Sequence, residues 1–199
     1  MSDAGFYRNA QNLRVSSIGL GTYLGGMDDA TDRGYTEAII TAAGMGLNAI
    51  DTSLNYRNQR SERAVGEALR RLFAENGARR DDLMISTKAG FLVPDAVPAS
   101  LEPEQVVDGM HSMAPEFIAD QLERSRQNLG LDTIDVFYLH NPETQLNRIP
   151  RSEFQARIRR LSRFSRRLSD KTRSASTGLR HGTDTGARRV HPRAYRWLN

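Results

Sequence analysis

A chain of 199 residues, 38% hydrophobic and 26% charged, is long enough to bury one sizeable domain. It has no cysteine, which excludes disulfides and thiolate metal sites and points to a reducing cytoplasm. The N-terminal MSDAGFYRNA lacks the basic-then-apolar pattern of a signal peptide, and no stretch is apolar for long enough to span a bilayer, so a cytoplasmic protein with no membrane partner is expected. The net charge of +4 is unevenly placed: residues 1–150 hold 14 Lys+Arg against 21 Asp+Glu, whereas residues 151–199 hold 14 against 3. The basic last quarter carries few aromatics (Phe164, Tyr195 and Trp197 beyond the periodic region), and charge alone gives only non-specific affinity, which argues against a nucleic-acid partner.

In chain order, Leu13 to Leu20 alternates loosely and predicts a strand that runs into Gly21-Thr22. A helix follows, with Asp32 as its cap and Ala38, Ile39, Ala42 and Ala43 on its buried side, closed by Gly44 and Gly46. Asn48 to Asp51 predicts the second strand, and Ser61 to Glu75 a helix with an apolar stripe at Ala64, Val65, Ala68, Leu69 and Leu72. Leu83 to Thr87 is the third strand, with Lys88 at its tip. The connection 89–113 contains three prolines and is long enough to suggest a functional loop. Pro115 to Leu129 reads as a third helix that starts on proline and stops at Gly130. Ile134 to Leu139 is the fourth strand and delivers His140-Asn141-Pro142. This βαβαβαβ order predicts an α/β fold with a parallel sheet, open or closed into a barrel.

Four polar groups fall at or just beyond successive strand ends: Asp51, Tyr56, Lys88 and His140. In a parallel α/β fold those ends converge on one face. A free phenol ionises near pH 10, and a neighbouring ammonium favours its anion. Lys88 is therefore expected to tune Tyr56 as a proton donor to a carbonyl oxygen, with Asp51 holding Lys88 in place and His140 orienting the carbonyl. Each residue alone is an ordinary structural one. Four in register on successive units point to chemistry.

The strings IDTSLNYRNQRSERAVGEAL, ISTKAG and DVFYLHNPE, with IGLGT before them, resemble the motifs of the aldo-keto reductase superfamily over roughly residues 13–160. The resemblance implies a (β/α)8 TIM barrel and hydride transfer between NADP(H) and a small-molecule carbonyl or alcohol substrate, without metal. It also implies the catalytic set Asp51, Tyr56, Lys88 and His140, with Tyr56 as general acid. Gly21, Thr22, Asp51 and Asn141 would lie near the cofactor. A non-catalytic cofactor-binding or regulatory barrel fragment is the competing reading. A Schiff-base lyase on Lys88 is disfavoured because Asp51 would keep that amine protonated.

The chain departs from that pattern after its first 159 residues, which form the N-terminal half of a barrel that typically needs about 250 residues. Only about four βα units are present. Residues 160–199 form an Arg-rich tail with no clear periodicity, read as irregular or out of frame. Back-translation in the shifted frame permits Ile-x-x-Tyr-Gly-x-x-x-Trp-Asn-Gly over residues 173–184, which resembles the family's fifth strand and loop. That places a frame junction between about Ile158 and Ser165. The expected consequence is an exposed sheet edge, apolar barrel-facing side chains, a barrel that does not close, and impaired or absent activity.

Overall fold

Short apolar strands separated by amphipathic helices build the sheet on which the strand-end residues stand. The computed structural model describes residues 5–10, 13–178 and 196–198. In chain order the elements are β1 (Tyr7–Ala10), β2 (Leu13–Ser16), β3 (Gly19–Gly21), α1 (Asp29–Gly44), β4 (Ala49–Asp51), α2 (Arg60–Glu75), β5 (Met84–Ala89), β6 (Val106–Val107), β7 (His111–Ser112), α3 (Pro115–Leu129), β8 (Val136–Leu139), α4 (Arg151–Gly178) and β9 (Arg196–Leu198). Strands β3, β4, β5, β8 and β9 form one parallel sheet in that order. The predicted parallel α/β arrangement is present, as a partial barrel.

Side chains alternate across the pleat. Ile50, Ile85, Thr87, Ala89 and Phe137 are buried on the helix side, where they pack with Val65, Leu69, Phe117, Ile118 and Leu129. Asp51, Ser86, Lys88 and Tyr138 occupy the other face at the C-terminal ends, with half-buried Ala49, Met84 and Val136 before them on the same face. The antiparallel hairpin β1–β2 closes the opposite end. Asn48, just before β4, accepts from the Ser16 amide at 2.7 Å and donates to the Arg14 carbonyl at 2.7 Å, while Tyr7 donates to the Gly46 carbonyl at 2.7 Å.

Several elements differ from the expected ones. The single strand Leu13–Leu20 is two: Leu13–Ser16 pairs back on β1, the chain turns at Ser17-Ile18, and only Gly19–Gly21 joins the main sheet. Asp28, not Asp32, caps α1, accepting from the Thr31 amide at 2.8 Å. Asp32 is drawn to Arg57 and Arg60, and Ala38 is exposed. Lys88 lies inside β5 rather than beyond it. Helix α4 continues past Arg159 to Gly178, with Leu161 and Ser165 buried, so residues 160–178 are helical rather than irregular. The β8 edge, expected to be bare, is paired by β9. The rest of the predicted tail, 179–195 and 199, lies outside the described residues.

Two close contacts fix the helices on the sheet. At Gly66 a Cβ would sit 2.3 Å from the Asn128 carbonyl oxygen, so glycine is what allows α2 and α3 to touch. Beside it, Glu62 is wholly buried between β5 and α3, accepting from Thr87 Oγ1 at 2.7 Å and Asn128 Nδ2 at 2.9 Å. Burial pushes its carboxyl above the usual range, against the lowering effect of those two hydrogen bonds. A raised native value means that the stabilisation is complete below the unfolded value of 4.5 and is lost as pH rises through the native one. Glu62→Gln, which can still satisfy both partners, is expected to flatten that loss in pH-dependent denaturation curves. Glu62→Ala strands both partners and is expected to cost about 3 kcal/mol.

Candidate active site

The C-terminal ends of β4, β5 and β8 open into a cleft of about 690 Å³ lined by Tyr23, Asp51, Asn55, Tyr56, Lys88, Phe91, Tyr138, Leu139, His140 and Asn141. All four strand-end residues predicted to act together are in it. A cavity of about 490 Å³ at the hairpin end involves none of them.

Lys88 is the hub. Its Nζ donates to Asp51 Oδ2 at 2.6 Å, to the Thr52 carbonyl at 2.9 Å and to the Tyr56 hydroxyl oxygen at 3.1 Å. Three acceptors use all three ammonium protons. The same nitrogen stands 4.6 Å from the Tyr56 ring centroid. The Lys88 side chain is 17% exposed and that of Asp51 46%, so the pair sits in a half-desolvated setting where it is screened less than a surface pair. Ser86, two residues before Lys88, donates to Asp51 Oδ1 at 2.6 Å.

Strand β8 brings His140 to the other side of Tyr56, the two rings 5.6 Å apart and edge-to-face. Ser53 Oγ lies 3.0 Å from His140 Nδ1, 2.7 Å from Asn55 Oδ1 and 3.1 Å from the Lys88 carbonyl. One hydroxyl proton serves one of these at a time, so its direction sets the His140 tautomer. When Ser53 donates to Nδ1, the other ring nitrogen carries the hydrogen and is free to donate. Burial pushes His140 down to about 4, helped by the charge of Lys88 and by His111, and opposed by Asp51 and Glu143. The ring is neutral over the physiological range.

The loop carrying Tyr56 is unusual. Arg57, Asn58 and Gln59 all have positive φ, at 50°, 53° and 71°. Side-chain-bearing residues rarely adopt this conformation, which costs of order 1–3 kcal/mol each. Buried Arg57 compensates by donating to the Gly26 carbonyl at 2.6 Å, to the Asp28 carbonyl at 3.2 Å and to Asp32 at 2.6 Å, with its guanidinium 5.5 Å from the Tyr35 ring centroid. It thereby ties the loop after β3 to the loop after β4.

Of the groups expected near a cofactor, Gly21, Asp51 and Asn141 are open or half-open. Thr22 is buried instead, its hydroxyl donating to Thr52 Oγ1 at 2.8 Å and its carbonyl accepting from Ser61 at 2.7 Å. It acts as a strut between β3, β4 and α2. Ser53, Ser86, Phe91, His111 and Gln145 also shape the site and were not singled out from sequence. The length of the 89–113 connection was the only signal for part of that set.

Together these features gather an ammonium, a carboxylate, a phenol and an imidazole at the mouth of a parallel α/β sheet. The aldo/keto reductase family matches residues 17–170, and the chain belongs to that family. It is 29% identical over 134 residues to the NADH-specific methylglyoxal reductase of Escherichia coli, covering 65% of this chain and 39% of that protein. It is 30% identical over 145 residues to the D-threo-aldose 1-dehydrogenase of a Pseudomonas species, covering 67% and 42%. Among solved structures, aldo-keto reductase AKR11C1 from Bacillus halodurans in its holo form aligns at 27% identity with a TM-score of 0.49, covering 67% and 39%. The chain thus spans about two fifths of the length of these relatives.

The depressed His140 value predicts a pH effect. Its stabilising contribution is complete above the unfolded value of 6.5 and is lost as pH falls through about 4. His140→Asn, compared with the unchanged protein by urea denaturation between pH 7 and 4, is expected to show the smaller loss of stability.

Proposed function

We propose that this chain carries the catalytic half of an NADP(H)-dependent aldo-keto reductase that interconverts a small carbonyl compound and its alcohol. The observation that carries the reading is the Lys88 ammonium, held by Asp51 and donating to the Tyr56 hydroxyl oxygen. Family membership supports it, as do the names of two relatives, a methylglyoxal reductase and an aldose dehydrogenase.

The residues present fit a nicotinamide coenzyme. Asp51 and Asn141 line the cleft, and Gly21 is a position where even a Cβ would meet nothing within 4 Å. When bound, the coenzyme supplies the hydride that reduces the carbonyl carbon. The chain's own residues do the rest. His140, neutral, donates to the carbonyl oxygen and orients it. Tyr56 transfers its hydroxyl proton to that oxygen as the new C–H bond forms, leaving the alcohol. Lys88 stabilises the phenolate left behind, and Asp51 keeps the ammonium charged and aimed. In the oxidative direction the same proton returns to Tyr56.

Four βα units leave the cleft open on one side, so the 199-residue polypeptide tested alone is expected to hold coenzyme weakly and turn over slowly. The cytoplasm, with its reduced nicotinamide pool, is the fitting compartment. The out-of-frame reading of the tail rests on the sequence. Sequencing the gene across codons 145–199 tests it, and an intact frame with no barrel remnant beyond would refute it.

The test of function is fluorimetric oxidation of NADPH, and in parallel NADH, with small aldehydes including methylglyoxal. Slow turnover with NADPH is expected, falling at least about 100-fold in Tyr56→Phe, as loss of a general acid does. Equal rates for Tyr56→Phe and the unchanged chain would refute Tyr56 as the acid. Full-speed turnover would refute the impairment.

A further inference from the structure

His111 is wholly buried and plays no part in the proton transfer just described, yet both its ring nitrogens are committed. Its Nε2 lies 2.8 Å from the main-chain carbonyl oxygen of His140, and its Nδ1 3.0 Å from Gln145 Nε2. A carbonyl oxygen only accepts, so Nε2 carries the hydrogen. Nδ1 is then an acceptor, which the Gln145 amide nitrogen satisfies. Gln145 in turn accepts at Oε1 from Arg157 of α4 at 3.3 Å. Turning the amide over would set nitrogen against the guanidinium and oxygen against the Nδ1 lone pair. Every donor in the series Arg157, Gln145, His111 therefore points one way, ending on the His140 peptide.

The surroundings leave little slack. Gly90, at φ +140°, lies so close that a Cβ there would be 2.6 Å from His111 Nε2 and 3.3 Å from the His140 carbonyl oxygen. Phe91 stands edge-to-face with both rings, at 5.0 Å from His111 and 5.1 Å from His140. Gln121, also fully buried, holds the other side of that segment, accepting from the Gly90 amide at 2.9 Å and donating to the Phe91 carbonyl at 2.8 Å. Immediately after His140, Asn141 adopts φ 43°. A strained peptide at a strand end needs an external hold.

We propose that His111 is a positioning residue for His140: its Nε2–H, aligned by Gln145 and Arg157, fixes the His140 main chain and hence the place of the His140 ring in the cleft. Its importance for turnover rests on the reductase reading above, but the hydrogen-bonded relay does not. The groups that face the His140 ring are Lys88, Asp51, Tyr56, Ser53, Phe91 and His111, with Glu143 acting from the following turn. Loss of the hold frees the ring to reach water.

The experiment is histidine-selective ¹⁵N NMR on the full chain, with long-range ¹H–¹⁵N spectra that report tautomer and titration for each ring and require no turnover. In the unchanged protein His111 is expected as the neutral Nε2–H tautomer, its midpoint held below that of a free imidazole by burial, and His140 with a midpoint near 4. His111→Gln, whose amide nitrogen can stand in for Nε2, is expected to keep the His140 midpoint. His111→Phe fills the space without a donor and is expected to raise that midpoint by at least about one unit toward the solvent-exposed histidine value. A role in stability alone would lower the melting temperature of both variants without separating their His140 titrations. Observation of the Nδ1–H tautomer at His111 in the unchanged protein overturns the proposal even if a variant fails to fold. An unmoved His140 in His111→Phe, or equal shifts in both variants, also overturns it. Absence of NADPH turnover in any of these proteins bears on the reductase reading and leaves the relay standing.

Discussion

The ammonium of Lys88 is the constraint on which the site depends. It belongs to β5, its carboxylate partner to β4, and its phenol partner to the loop after β4. Half-burying that charge is tolerable because all three of its protons find oxygen acceptors, one of them anionic. Parallel pairing supplies the geometry. Asp51 is in register with Ser86, which places Lys88 one pleat further along on the same face. A slip of one residue would turn Lys88 into the helix-side core, where no carboxylate waits.

Around that hub, costly features are matched by compensating contacts. Three successive left-handed residues aim the loop after Tyr56, and buried Arg57 secures them with bonds to the preceding loop. The sharp exit from β8 at Asn141 is paired with the His111 bond to the His140 carbonyl. Glu62 and Asp135 anchor the sheet from its helix side and its N-terminal end. Asp135 accepts from Arg80 at 2.6 Å and from the Ile85 amide at 2.9 Å, which locks β5 beside β8. Glu62 and Asp135 both bond to β5, the strand that carries Lys88.

Much of this was legible in the chain. Helices α2 and α3 announce themselves by apolar spacing and, for α3, by Pro115 and Gly130 at its ends. Asp51, Tyr56, Lys88 and His140 were readable because they recur at the ends of apolar runs. What escaped needs three dimensions. The break at Ser17-Ile18 follows from the pairing of β2 with β1, which alternation alone does not reveal. Asp32 reads as the cap of α1, but Arg57 and Arg60 draw it away and Asp28 takes the role. The family resemblance places Thr22 near the cofactor, and nothing in the sequence signals that its hydroxyl also meets Thr52, 30 residues away. His111 is a lone histidine in a proline-rich connection, and its partners come from β8's exit and a later turn. The start of the helical run beyond Arg159 was hidden by Arg160, Arg163 and Arg166, which are exposed.

The central claim is that the Lys88-centred cluster delivers a proton while hydride moves to a carbonyl carbon. The most direct measurement is deuterium transfer from NADPH carrying deuterium at the reactive C4 position to an aldehyde, scored by mass spectrometry of the alcohol after long incubation. Product enriched by one mass unit is predicted for the unchanged chain, with enrichment falling to background in Lys88→Met. No label in the alcohol from folded, unchanged protein at saturating coenzyme, or undiminished label from Lys88→Met, would contradict the account.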